Sequence, residues 1–230
     1  GEQKLVAPVE WISAPGDFSA PRPIGELPEW VDHEPLTDVQ RRAQKSVVQA
    51  LAPGAPVEIK LLELTDPAGA GRLREDRTLA AECAAHVGLY EPLIKALGDA
   101  DQKAYWRRLL DVMRQMLATD SQAAEALRAD LVGLRGERDA ALLFEMILGY
   151  DPAVVAATRE DFESGVLARL IRRLDGKDLD VRVLALANLN ELTGTNGLGG
   201  YQPWQTASQR ARALRIYDDR LRKGELAPVE

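Results

Sequence analysis

From Thr37 onward, apolar residues recur at spacings of three and four, and that periodicity restricts this part of the chain to packed helices. Trp106, Leu109, Leu110, Met113, Met116 and Leu117 share one helical face, as do Ala140, Leu143, Phe144, Ile147 and Leu148. No stretch sustains apolar–polar alternation, so little or no sheet is expected. The spacing predicts helices over 37–52, 56–65, 73–87, 90–97, 102–118, 120–134, 137–148, 152–157, 163–174, 178–193 and 206–222. Residues 178–193 are apolar nearly all round, which predicts a helix enclosed by neighbours. Thr37 with Gln40, Thr119 with Gln122 and Thr206 with Gln209 have capping-box spacing. Asp151–Pro152 reads as an N-cap followed by proline, and Gly88, Gly149 and Gly194 read as helix stops.

Residues 1–36 differ in kind. Six of the 13 prolines fall there, so this stretch cannot be a run of helix. Lys4 and Arg22 stand against Glu2, Glu10, Asp17, Glu26, Glu29, Asp32 and Glu34. Trp11, Phe18 and Trp30 are large apolar groups of a kind that linkers rarely carry. The stretch reads as an extended arm held at a few aromatic anchors, followed by a single all-α domain over 37–230. Each seated ring would bury on the order of 150–250 Å². Deleting residues 1–36 is therefore expected to lower the melting temperature. An unchanged melt, with fast proteolysis of the arm in the intact protein, would make it a tether instead.

Residues 89–115 and 166–192 match at a shift of 77. Leu93 falls on Leu170, Ile94 on Ile171, Leu97 on Leu174, Asp101 on Asp178, Leu109 on Leu186 and Val112 on Leu189. The second copy, with Leu167, Leu170, Leu174, Asp178, Val181, Arg182, Ala185 and Leu189, resembles a HEAT repeat. The resemblance implies a right-handed superhelical stack of about four helical hairpins, an α-α superhelix. Asp178 is expected to cap the second helix, and Arg182 to bond an Asp or a backbone carbonyl at a neighbouring turn. In the other copy Tyr105 stands where Arg182 stands. Over residues 56–223 the order of elements, ending in the Gly-containing loop with Tyr201–Pro203 and an Arg-rich helix, looks like HEAT-like domains of planctomycete bacteria. That resemblance implies a bacterial source and a fold, and no activity.

No catalytic set is legible. HExxH, CxxC, GxSxG and Walker-type lysine loops are all missing. Cys83 alone cannot form a disulfide framework or a cysteine-based metal site, and it reads as core beside Leu79 and Val87. His86 reads as structural at a helix C-terminus, His33 lies in the arm, and two histidines offer little to a metal. Most carboxylates read as solvated helix faces. The loop from Gly194 to Gly200 follows a helix and holds no lysine, so it reads as a helix stop and flexible connector rather than a phosphate cradle. Tyr201, Pro203 and Trp204 read as a plug for the last hairpin, with ligand stacking on Trp204 as the alternative. Arg210, Arg212, Arg215, Arg220, Arg222 and Lys223 outnumber Asp218 and Asp219 on the closing helix. It reads as a polar cap or as a docking strip for an acidic partner, the arm included.

A net charge of −7 disfavours nucleic acid as the main partner. No apolar run approaches the length of a membrane span. The leading Gly1 reads as a scar of tag removal, which leaves room for a signal peptide or membrane anchor upstream in a longer exported or anchored protein, and the compartment of this soluble domain is not legible. The expected function is a non-catalytic protein-interaction or scaffold module that binds a protein or peptide and needs no cofactor or metal. The candidate interaction surface is Trp204, Tyr201, Arg210, Arg212 and Arg215. The alternatives are a HEAT-like nucleic-acid-binding or base-repair protein, and a hydrolase or lyase with a site gathered from distant helices.

Overall fold

The computed structural model describes residues 36–51, 54–68, 73–155 and 165–226, together with the backbone of four two-residue strands. The chain divides into Gly1–Asp38 and Val39–Glu230. In the first unit Val9–Glu10 pairs antiparallel with Arg22–Pro23, and Ser13–Ala14 with Asp17–Phe18. The proposed anchors, the side chains of Trp11, Phe18 and Trp30, lie outside the described residues, as does His33.

Ten helices are found among the described residues. They are α1 (Asp38–Ala50), α2 (Val57–Thr65), α3 (Arg74–Ala85), α4 (Glu91–Leu97), α5 (Trp106–Thr119), α6 (Ala123–Arg135), α7 (Glu137–Leu148), α8 (Val166–Arg173), α9 (Leu179–Thr193) and α10 (Ala207–Arg222). A single helical turn, Pro152–Val155, opens on the proline as expected. The main core draws on α3 to α10, and Val47, Leu61, Leu64, Ala80 and Ala84 join α1, α2 and α3 in a smaller one.

Consecutive helices pack in pairs: α2 on α3, α6 on α7, and α8 on α9. Pair meets pair through α4 on α6, α5 on α7, and α7 on α9. In addition α4 meets α9 across the intervening α6–α7 pair. A one-dimensional stack contacts only its neighbours, so this body is more closed than an ideal solenoid. The enclosure expected for residues 178–193 holds, because α9 packs on α4, α7 and α8 and buries Leu184, Ala185, Leu189 and Leu192.

The burial of the residues matched in sequence follows the shift of 77 only in part. Leu93, Ile94 and Leu97 are buried, and so are their partners Leu170, Ile171 and Leu174 at a shift of 77. For the second helices that shift fails: Leu109 is buried while Leu186 is only half-buried. At a shift of 79, buried Trp106, Leu109, Leu110 and Met113 fall on buried Ala185, Asn188, Leu189 and Leu192. Counted from Leu97 and Leu174, the matching buried positions of α9 lie two residues further along than those of α5.

Local chemistry sets the helix ends. Thr206 and Gln209 form a capping box, with the Gln209 Oε1 atom accepting from the Thr206 N–H at 2.9 Å. The Thr119–Gln122 box does not form. The Thr119 hydroxyl donates to the Gln115 carbonyl, and Asp120 accepts the Gln122 N–H at 2.9 Å, so α6 starts later than predicted. After α3, Leu89 N–H bonds the Ala84 carbonyl and Gly88 N–H the Ala85 carbonyl, a Schellman pair that needs the positive φ of Gly88. Asp178 occupies the N-cap position of α9 without a side-chain cap bond. Its neighbour Asp180 is buried and pairs with Arg135 at the end of α6, while Asp178 lies 3.7 Å from Arg135. The first turn of α4 is capped from another helix, since Asp130 of α6 accepts from Tyr90 N–H at 2.8 Å and Glu91 N–H at 2.9 Å.

The expected Leu79–Cys83–Val87 core face is displaced. α3 turns Ala80, Ala81, Ala84 and Ala85 inward, leaves Cys83 half-buried and exposes Val87. Small residues let the neighbouring helices approach α3 closely. Nor are all carboxylates solvated: Asp76, Glu82 and Asp180 are buried, and Glu82 holds Arg108 while Asp76 accepts from Ser46 of α1 at 3.0 Å.

All five tyrosines have their phenols pushed up, in each case chiefly by burial. An unfolded phenol titrates near pH 10, so this contribution to stability is fully present below about pH 10 and is lost as pH rises through the raised folded values. Helical circular dichroism should therefore collapse in alkali together with the appearance of phenolate absorbance. Phenolates that titrate near pH 10 in a fully helical protein would contradict this.

Candidate functional site

The 201–205 segment is held by three buried side chains. Tyr201 is 1% exposed and donates its hydroxyl to the Leu174 carbonyl at 2.5 Å. Its ring meets Tyr217 of α10 edge-on at 6.2 Å. Arg182 Nε donates to the Pro203 carbonyl at 2.7 Å, and its Nη1 reaches the carbonyls of Gly176 and Lys177, each at 2.7 Å. Arg210 donates to the Gln205 carbonyl at 2.5 Å and to Asp175 at 3.1 Å. Burial, and after it the neighbouring Arg210, lowers the Arg182 pKa, yet a guanidinium stays charged. Arg182 thus bonds three backbone carbonyls across two turns, in the manner the repeat resemblance implied.

The preceding loop is fixed as well, rather than a flexible connector. Asn190 accepts from Gly197 N–H, and the Tyr217 hydroxyl accepts from Leu198 N–H at 3.1 Å. Gly199 lies so close to α10 that a Cβ there would stand 2.7 Å from Ile216 and 3.2 Å from the Ala213 backbone. Only glycine fits that approach at its positive φ.

This scaffold presents Trp204. Burial alternates along the segment: Tyr201 and Pro203 point inward, and Gln202 and Trp204 point outward. Trp204 is 41% exposed and meets the buried Trp106 ring at 5.8 Å with the planes tilted by 51°. The Trp106 indole N–H is fixed on the Ala96 carbonyl at 3.0 Å. Beside the two rings runs a groove of about 610 Å³ between α5 and α9. Its apolar lining includes Leu110, Val183, Leu186 and Ala187. Leu186 and Ala187 are available there because α9 carries more apolar residues than its three packing partners cover. Lys103, Arg107, Asn190 and Glu191 supply the polar edge.

The five residues singled out from sequence are thus separated by role. Trp204 lines the groove. Tyr201 and Arg210 are buried and secure the segment that carries it. Arg212 and Arg215 are exposed on α10, away from the groove lining. The sequence reading missed Lys103, Trp106 and Arg107, which precede Trp204 by about a hundred residues. One signal was available: α5 has no acidic residue in its first turn, and two cations flank its start. Among the described residues no three His, Cys, Asp or Glu side chains gather in a way that could hold a metal. No helix among them is long and apolar enough to cross a membrane. No protein-family model, curated protein or solved structure matches the chain significantly.

Proposed function

We propose that the chain is a non-catalytic protein-interaction module on a HEAT-like helical-repeat body, with a peptide segment of another protein lying in the Trp204 groove. The observation that carries this reading is Trp204 itself. A large ring held by a buried scaffold but left 41% exposed is the kind of rigid aromatic anchor that concentrates binding energy. The repeat part of the reading, which implies a right-handed superhelical stack, draws its support from the matching buried faces of α4 and α8 and, at a different shift, of α5 and α9. The contact of α4 with α9 is a departure from it. The one carboxylate of the groove lining, Glu191, is bonded by Arg114 at 2.7 Å, which gives no support to acid–base chemistry there.

Selection of displayed peptides on the intact protein tests the reading. Selected peptides should lose roughly 2 kcal/mol or more on Trp204→Ala, about thirtyfold in Kd. The melting temperature should barely move, because the ring is partly exposed and carries no hydrogen bond of the scaffold. A selection that yields no Trp204-dependent peptide would overturn the proposal.

A further inference from the structure

We infer that the Trp204 groove selects acidic peptides, seating an apolar side chain on Trp106 and Trp204 and a carboxylate against Lys103 and Arg107. This rests on the peptide-binding reading above and adds the chemistry of the occupant. Four observations carry it.

First, Lys103 and Arg107 both line the groove, both are exposed, and neither has a carboxylate partner among the described residues. The contact that Lys103 does make is with the Trp204 ring, its Nζ lying 4.9 Å from the ring centre. Second, the first turn of α5 itself holds no acidic residue that could pair with the same two cations. Third, the groove's own carboxylate, Glu191, is already engaged by Arg114. Fourth, Lys103 also lines a second cleft of about 550 Å³, which continues past Arg42 and Arg74. Its acids are Asp101 and Glu75, and Glu75 accepts from Arg74 at 3.2 Å and from the Tyr105 hydroxyl at 3.0 Å. Arg42 has no ion-pair partner among the described residues.

The result is an apolar slot opening onto a positive track on a chain whose net charge is −7. An acidic peptide with one apolar residue complements both parts. A single-stranded nucleic acid fits less well. It calls for a row of stacking rings and a cation for most phosphates, whereas the groove lining holds one exposed ring and two cations.

Calorimetry with the full chain tests the inference. The probes are short peptides of one length with a central Leu flanked by Asp and Glu, by Asn and Gln, or by Lys, and an oligothymidylate. The acidic peptide should bind at least about tenfold more tightly than its neutral counterpart at low salt, an advantage that shrinks on raising salt well past physiological strength. Lys103→Gln with Arg107→Gln should erase that advantage, bringing the acidic peptide's Kd to that of the neutral one on the same variant. If the neutral peptide binds as well as the acidic one, and Trp204→Ala abolishes both, the charge selection is wrong and the peptide groove stands. If no peptide binds in a Trp204-dependent way, both readings fall. Tighter binding of the oligothymidylate that depends on Lys103 and Arg107 would also overturn the inference.

Discussion

Arg182→Met should cost roughly 3–5 kcal/mol of stability, because the carbonyls of Pro203, Gly176 and Lys177 lose their donor together. An unsatisfied buried polar group costs about 1–3 kcal/mol, and methionine restores the packing but none of the hydrogen bonds. For a body of this size the melting temperature should fall on the order of 10 °C. Arg182→Lys should recover only part of the loss. One ammonium cannot serve Pro203 on one side and the Gly176–Lys177 turn on the other, as the planar guanidinium does. The damage should be local before it is global. Hydrogen exchange should rise first between Tyr201 and α10, since Arg182 ties that segment to α9, and the Trp204 groove should weaken with it. A denaturant midpoint within error of wild type would show that these carbonyls find water instead and that Arg182 is dispensable.

Much of the fold was legible because helices announce themselves locally. Each predicted helical segment is present, with ends shifted by a few residues where a nearby side chain competes for the backbone. Asp120 is one case, accepting the Gln122 N–H ahead of the expected Thr119 box. Asp99 is another: it accepts from Asp101 N–H at 2.8 Å, starts a short 3₁₀ turn, and delays α5 to Trp106. Bonds that cross between helices left no trace in local periodicity. Asp130 capping α4 and Arg135 pairing with Asp180 join residues about forty apart. Either acid, met in isolation on a helix, looks like a solvated face.

The groove was half legible for a related reason. Tyr201, Pro203 and Trp204 were read together as a plug, which is right for the first two. The outward turn of Trp204 follows from its place one residue beyond the carbonyl that Arg182 holds. Its partner ring, Trp106, was correctly assigned to a buried face. What that face would meet at its edge depended on how far α9 stood from α5. The contact of α4 with α9, which a nearest-neighbour stack would not have predicted, brings α9 to the same part of the body.

Leu189→Ala should cost roughly 2–5 kcal/mol, and the comparison with its neighbours decides the register of the proposed repeat. Leu189 is fully buried on α9, among α4, α7 and α8. With a uniform shift of 77 its counterpart would be Val112, which is only half-buried on α5. With the shift of 79 that the buried faces require, its counterpart is Leu110, 2% exposed. Leu110→Ala should therefore fall in the same range as Leu189→Ala. Leu186→Ala should cost clearly less, because that side chain lies half-exposed at the groove and the gap can fill with solvent. Leu189→Met should stay under about 1.5 kcal/mol, since it nearly conserves volume. Thermal melts of the four variants measure all of this on one scale. A Leu189→Ala protein that melts with wild type, or a Leu186→Ala protein that loses as much as Leu110→Ala, would put α9 in the wrong orientation and remove the shift of 79 from the proposed repeat.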